Sequence, residues 1–131
     1  MITDVIGDFI NRLTTATAVR KNSVSIPFSS LKHQIALVLK REGYVGEINE
    51  TEDGVQKFLT VELMYDPDGE PRIHGVKRIS KPGRRLYSSV RDVMPIKNGK
   101  GCMIITTPKG IMTDKDARKN RVGGETMFTI W

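Results

Sequence analysis

A short basic segment with one aromatic side chain is the part of the sequence best suited to chemistry. Residues 78–87 read RISKPGRRLY, with cations on both sides of a Pro-Gly turn. Lys81, Arg84 and Arg85 can neutralise phosphates, and Tyr87 can stack on an unpaired base or contact a ribose. RNA and DNA match this combination, because both carry negatively charged phosphates and planar bases. Two alternatives stay open: a solvated charged face, and a core tyrosine hydrogen-bonded to the backbone.

The charge of the chain is divided unevenly along its length. Residues 1–66 contain seven Lys/Arg and nine Asp/Glu, whereas residues 67–131 contain fourteen and six. The formal net charge of +6 therefore comes from the second half. We expect the second half to carry the contacts with a polyanion.

Composition limits the class of protein. A chain of 131 residues with 38% hydrophobic content can build one compact domain or two small lobes. The single cysteine, Cys102, permits no internal disulfide, and its apolar neighbours predict a buried strand position. No apolar run approaches the ~20 residues of a membrane span. Asp4 and Asp8 do not fit a targeting peptide, so we expect a soluble intracellular protein.

The first half predicts the order α-β-α-β-β. Thr3 can cap a first helix, and Ser29 or Ser30 can cap a second helix that Gly43 ends. Three segments have the composition or alternation of strands: residues 23–26, 44–48 and 58–65.

The sequence Asp-Pro-Asp-Gly at residues 66–69 is a strong turn signal, and we place the lobe boundary there, between 1–66 and 67–131. Beyond it the pattern predicts strands at 73–79, 84–87, 102–107 and 126–130. Thr113 can cap a short helix that runs through Arg118. The predicted fold class is therefore α+β, with two small, closely packed lobes: an N-terminal α/β lobe, and a strand-rich C-terminal lobe with one short helix.

Several motifs in a fixed order carry a family resemblance. The stronger ones are residues 79–87, Asn98-Gly99 with Gly101, residues 106–114, and residues 123–131, which end at Trp131. Residues 26–29 with Leu31-Lys32, and Asp8 with Arg12, match more weakly. Over nearly its whole length the chain resembles the small-subunit ribosomal protein S-eight family of bacterial or organellar type. The resemblance implies no enzymatic activity, and it implies binding to the central domain of the small-subunit rRNA early in assembly.

The resemblance also implies a second group of RNA contacts, at a tight turn. Residues 107–110 read TPKG, with Pro and Gly at the positions that a tight turn favours. In the family this loop lies against a distorted rRNA helix, which assigns RNA contact to Thr106, Thr107, Lys109 and Gly110. Pro108 replaces a usual hydroxyl residue and brings neither hydroxyl nor N–H, which puts one contact in question. The alternative is a plain hairpin turn.

Glu125 and Lys32 complete the predicted RNA-binding residues. The family places RNA contact at Glu125, which can accept hydrogen bonds from base amino groups or 2′-hydroxyls. A salt bridge with a neighbouring Arg is the equal alternative. The N-terminal lobe departs from the family at Thr14-Thr15 and at Ser30, and Lys100 stands at a commonly apolar position. In the N-terminal lobe, Lys32 is therefore the only residue that we predict to contact RNA, through a phosphate.

Other functions find little support in the sequence. His33 and His74 lack the carboxylate or Cys/His partners of a catalytic or metal site, and there is no P-loop. We therefore predict no enzyme, no cofactor, no metal, no small-molecule substrate and no membrane partner. The predicted partners are the rRNA and neighbouring small-subunit ribosomal proteins, in a cytoplasmic or organellar ribosome. The alternatives are a translational repressor bound to its own messenger RNA and a non-ribosomal basic protein-interaction scaffold.

Overall fold

The computed structural model describes residues 4–89 and 101–131. They form two compact units: Val5–Ile73 is one, and Asp4 with His74–Trp131 is the other. Within the described residues there are three helices and two antiparallel sheets, with the third, short helix in the strand-rich second unit. The predicted α+β fold class is confirmed. The predicted cap Thr3, together with Asn98, Gly99 and Lys100, lies outside the described residues.

The first unit follows the predicted order of elements. Its elements are α1 (Val5–Ala18), β1 (Ser23–Pro27), α2 (Ser30–Arg41), β2 (Val45–Asp53) and β3 (Gln56–Leu63). The three strands pair antiparallel in the order β1-β3-β2. One face of the sheet and the two helices bury a shared apolar core, which includes Phe9, Leu13, Ile26, Ile35, Leu39, Leu59 and Val61.

Capping explains where α2 begins and ends. Of the two predicted cap residues the structure selects Ser29, whose hydroxyl accepts a hydrogen bond from the Lys32 N–H at 3.4 Å. Lys40 and Arg41 lie in the last turn, where cations oppose the negative end of the helix dipole. Gly43 then turns the chain with φ +86°, a conformation that glycine adopts without strain.

The predicted turn at residues 66–69 forms, with Gly69 donating to the Asp66 carbonyl at 2.8 Å. The segment after the turn folds back beside the end of β3, where the Arg72 N–H donates to the Met64 carbonyl at 3.0 Å. The first compact unit consequently continues to Ile73, beyond the lobe boundary predicted at residue 66.

The second unit is a sheet built around its last strand. Its elements are β4 (Val76–Arg78), β5 (Tyr87–Ser88), β6 (Cys102–Thr107), β7 (Gly110–Thr113), α3 (Asp114–Asn120) and β8 (Gly124–Ile130). The short strands β4 and β5 pair with successive parts of β8, and β6 pairs with β8 and with β7. Cys102 is buried in β6 as predicted. Thr113 caps α3 as predicted, by accepting from the Asp116 N–H at 3.2 Å.

The strands predicted at 73–79 and 84–87 are shorter in the structure, for identifiable reasons. The N–H groups of His74 and Gly75 both donate to the Trp131 carbonyl, so regular pairing begins only at Val76. Arg84 belongs to a turn closed with Lys81, so β5 begins only at Tyr87. A Cβ on Gly75 would lie 2.5 Å from Cζ2 of Trp131, so this glycine makes room for the indole.

Candidate RNA-binding surface

Three predicted contact residues from three different strands lie side by side. Across the sheet, Tyr87 of β5 is directly opposite Glu125 of β8, and Glu125 is directly opposite Thr106 of β6. Directly opposite residues of antiparallel strands project from the same face. The side chains of Tyr87, Glu125 and Thr106, here called the Tyr87 row, therefore share one face of the sheet.

Tyr87 is largely exposed to solvent. Its exposed fraction is 69%, and the preceding Leu86 is also exposed. The alternative of a core tyrosine is therefore wrong. An exposed ring on a strand, fixed by its backbone pairing, is available for stacking on a base without first leaving a core.

A tight turn at residues 81–84 precedes Tyr87 in the sequence and carries two cations. Lys81 and Arg84 exchange two backbone hydrogen bonds of 2.9 Å, and both side chains are exposed. Ser80 fixes the base of this cationic turn: it is 4% exposed, and its hydroxyl both donates to the Leu86 carbonyl and accepts from the Leu86 N–H. Sequence reasoning missed Ser80. The available signal was a serine directly before the Lys-Pro-Gly turn.

Glu125 is paired within the protein. Nη1 of Arg85 lies 3.2 Å from one carboxylate oxygen of Glu125 and 3.4 Å from the other. The Arg85 side chain is 59% exposed and the Glu125 side chain 18%. The salt-bridge alternative is thus confirmed, and RNA contact at Glu125 stays a prediction.

The β6–β7 hairpin turns where the sequence predicted, with Thr107 paired to Gly110. Thr107 is buried, and its hydroxyl donates to the Gly110 carbonyl at 2.8 Å and accepts from the Lys109 N–H at 3.1 Å. The Thr106 hydroxyl contacts Met127 Sδ at 2.8 Å. Both hydroxyls are engaged inside the protein, so the exposed part of this hairpin is Pro108, Lys109 and Gly110.

Two glycines bring the strands of the Tyr87 row together. A Cβ on Gly124 would overlap the Thr106 carbonyl oxygen, and one on Gly123 would overlap the Ser88 carbonyl oxygen. In the sequence this pair was only the start of the motif at residues 123–131. In the structure the pair allows the close approach of β8 to its neighbours on both sides.

Lys32 lies in the first unit, on α2, and is only 6% exposed. Burial of its ammonium lowers the pKa of Lys32, Asp8 opposes this shift, and Arg12 adds to it. The contact of Lys32 with phosphate stays a prediction. A lysine so enclosed can offer a ligand only the tip of its side chain.

Other kinds of site find no support in the described parts of the chain. No group of three or more His, Cys, Asp and Glu side chains is arranged there to hold a metal ion. His33 pairs with Glu50 at 3.4 Å, and the His74 backbone bonds to Trp131. None of the described helices is long and apolar enough to cross a bilayer.

An α+β chain with a cationic turn, an exposed aromatic and a polar row on one sheet face fits the class of structural RNA-binding proteins. Comparison with known proteins gives the family. The model of the family described as Ribosomal protein S8 matches residues 4–131, and the chain belongs to that family. The predicted family is thereby confirmed. Because the family is structural and non-enzymatic, the protein is a structural ribosomal protein and not an enzyme.

Full-length relatives agree with this assignment. "Small ribosomal subunit protein uS8" of Anaeromyxobacter sp. is 44% identical over 129 residues, which cover 98% of each chain. The proteins of the same name from Clostridium beijerinckii and Lactobacillus delbrueckii subsp. bulgaricus are 44% and 43% identical over 131 residues, covering all of this chain and 99% of theirs. The non-ribosomal scaffold considered as an alternative does not agree with this membership.

Proposed function

We propose that this protein binds the central domain of the small-subunit rRNA and helps that RNA to fold as the subunit assembles. The observation that carries the proposal is the Tyr87 row, since it gathers an exposed ring, a carboxylate and a threonine from distant parts of the sequence. Membership of a ribosomal family makes rRNA the matching polyanion.

Affinity and specificity come from different residues in this proposal. Lys81, Arg84 and Arg85 supply phosphate contacts that release counterions and depend on salt. Tyr87 stacks on an unpaired base, and Glu125 accepts from a base amino group or a 2′-hydroxyl. The β6–β7 hairpin adds Lys109 and a backbone that can approach the RNA closely at Gly110. Lys32 adds one phosphate contact from the first unit.

Thr106 and Thr107 act mainly by shaping this surface, because their hydroxyls bond inside the protein. Neighbouring small-subunit ribosomal proteins are further proposed partners. The protein's own messenger RNA would occupy the same surface if it reproduced the shape of the rRNA site, and it would then compete with the rRNA fragment for binding.

The test is filter binding to a central-domain rRNA fragment and to a scrambled RNA of the same length, over a salt series. Wild type, Tyr87→Ala and Lys81→Ala are compared, with Lys40→Ala as a control that removes one positive charge from the first unit. Tyr87→Ala is expected to cost the rRNA fragment about 1–3 kcal/mol of binding free energy. Lys81→Ala is expected to weaken both RNAs and to reduce the salt slope by about 0.7–0.9.

A wild type that binds the fragment and the scrambled RNA equally at every salt concentration would contradict the proposal. Equal loss of both RNAs in Tyr87→Ala would contradict the role given to the ring.

A further inference from the structure

The cations next to Tyr87 are not equally free to meet a phosphate. Within residues 4–89 and 101–131, no acidic side chain forms an ion pair with Lys81 or Arg84, whereas Arg85 is held by Glu125 at 3.2 Å. Glu125 also occupies the middle of the Tyr87 row, where the proposed RNA must approach. A negative charge there opposes phosphate binding, so its presence calls for a functional explanation.

We infer that Glu125 determines which RNA the surface accepts. It holds Arg85 in an ion pair, and this pair is exchanged for RNA contacts only when the RNA offers a hydrogen-bond donor to the carboxylate. The inference rests on the proposed function and assigns the specificity of that site. Binding of the matching RNA then breaks the Arg85–Glu125 pair, turns Arg85 to a phosphate and gives Glu125 a new donor.

The geometry fits an exchangeable pair. The Glu125 side chain is 18% exposed and stands between the side chains of Tyr87 and Thr106, so the carboxylate is the fixed partner. The Arg85 side chain is 59% exposed, so the guanidinium is the partner that can move. Such a partly exposed ion pair contributes little free energy, so Arg85 can leave it at small cost once Glu125 has another donor.

Two kinds of RNA meet this pair differently. The amino groups of cytosine, adenine and guanine and the ribose 2′-hydroxyl can donate to Glu125, and an RNA that places one there satisfies the carboxylate as Arg85 leaves. For an RNA that offers only phosphates, taking Arg85 would leave an unpaired carboxylate beside the negative charge of the RNA, so Arg85 stays with Glu125. The Arg85–Glu125 pair therefore lowers the affinity for unspecific RNA more than the affinity for matching RNA.

The experiment is a double-mutant cycle on Glu125→Gln and Arg85→Gln. Binding is measured to the central-domain rRNA fragment, to poly(dT) and to inorganic polyphosphate. Poly(dT) has neither a 2′-hydroxyl nor an amino group, and polyphosphate offers no donor. Glu47→Gln is the matched control, because Glu47 is also paired with a cation, Lys40, at 3.3 Å on the first unit. Thermal melting of each variant checks that it folds.

We expect Glu125→Gln to tighten binding of polyphosphate and poly(dT) by roughly two- to fivefold. The released arginine should also steepen the salt slope for poly(dT) by about 0.7. The rRNA fragment should instead bind about tenfold more weakly, because an ionised acceptor is lost. With Arg85→Gln in the same chain, Glu125→Gln should tighten polyphosphate binding clearly less than it does beside Arg85, because only the repulsion of the carboxylate is then removed. Glu47→Gln should change none of these values.

Tightening of equal size with and without Arg85 would overturn the inference, since the effect would then be one of net charge alone. Unchanged polyphosphate binding would overturn it as well. Both results are independent of the rRNA arm, so they stay distinct from a failure of the proposed function, in which wild type shows no preference for the rRNA fragment. Should Glu125→Gln not fold, Glu125→Asp withdraws the carboxylate from Arg85 by one methylene and is expected to tighten polyphosphate binding to a lesser degree.

Discussion

Gly124 faces the backbone of Thr106 so closely that a Cβ on Gly124 would overlap the Thr106 carbonyl oxygen. The same imaginary Cβ would lie 2.9 Å from the Thr106 carbonyl carbon and 3.1 Å from Thr107 Cα. Backbone cannot move aside as a flexible side chain can. The separation of β8 and β6 beside the Tyr87 row therefore depends on the absence of a side chain at residue 124.

Gly124→Ala is accordingly expected to destabilise the fold by about 1–3 kcal/mol, because it overpacks two paired strands. It should also reduce the preference for the rRNA fragment, since Glu125 and Thr106 shift with their strands. Urea unfolding and filter binding measure the two effects. Gly83→Ala is the control: a Cβ there meets nothing within 4 Å, and we expect a change within about 0.5 kcal/mol. Equal stability of the two variants would contradict this account.

Ser80→Ala tests how the cationic turn is held. The change removes both hydrogen bonds between the Ser80 hydroxyl and Leu86 and leaves the Leu86 N–H without its partner. The expected cost is about 1–3 kcal/mol of unfolding free energy. RNA affinity should fall although no cation is lost, because the turn that carries Lys81 and Arg84 becomes less ordered.

The control for Ser80→Ala is Ser25→Ala, which removes an exposed serine from β1 and is expected to change stability by less than about 0.5 kcal/mol. Chemical denaturation of both variants gives the comparison. A Ser80→Ala protein as stable as the Ser25→Ala protein would show that the hydroxyl does not fix the turn.

Thr107→Val tests whether the hydroxyl shapes the β6–β7 hairpin or meets the ligand. The variant keeps the β-branched shape and loses the bonds to Gly110 and Lys109, at an expected cost of about 1 kcal/mol. Discrimination between the rRNA fragment and scrambled RNA should decrease, and the salt slope should stay unchanged because no charge is removed. Thr107→Ser keeps the hydroxyl and should retain wild-type discrimination; if it behaves like Thr107→Val, the hydroxyl is not the cause.

Local signals in the sequence predicted the elements of the fold well. Ser29, Thr113 and Gly43 act at helix ends through contacts with residues a few positions away, so their types alone indicated their roles. The α-β-α-β-β order and the turn at residues 66–69 depend on the same local chemistry. Strand ends were less predictable, because Trp131 decides where β4 begins from a distant position in the sequence.

The arrangement of the candidate site could be predicted only in part. The residue types of the Tyr87 row pointed to RNA, but their alignment across three strands follows from sheet register, which the sequence does not display. For the same reason the inward bonding of the Thr107 hydroxyl and the bracing role of Ser80 became apparent only from the structure. A salt bridge of Glu125 with a neighbouring arginine was one of two predicted alternatives, and the structure identifies that arginine as Arg85.

Lys32→Met tests the cost of enclosing a lysine on α2. Burial lowers the pKa of Lys32 in the folded protein, so the unfolded chain binds this proton more tightly. The contribution of Lys32 to stability therefore rises as the pH increases from the folded pKa toward the ordinary value of 10.5, and at neutral pH its charge opposes folding. We expect Lys32→Met to be more stable than wild type at pH 7, and this advantage to shrink as the pH approaches 10.5. Urea unfolding from pH 7 to 10.5 measures it.

The control for this change is Lys40→Met, which removes a lysine from the exposed face of the same helix and should lack the gain in stability at pH 7. If Lys32 also contacts phosphate, Lys32→Met will bind the rRNA fragment more weakly and reduce the salt slope by about 0.7–0.9 while it stabilises the fold. Opposite changes in stability and RNA affinity would mean that a buried charge is kept for binding at the expense of stability. A less stable Lys32→Met protein at pH 7 would instead show that the attraction of Asp8 outweighs the burial of the ammonium.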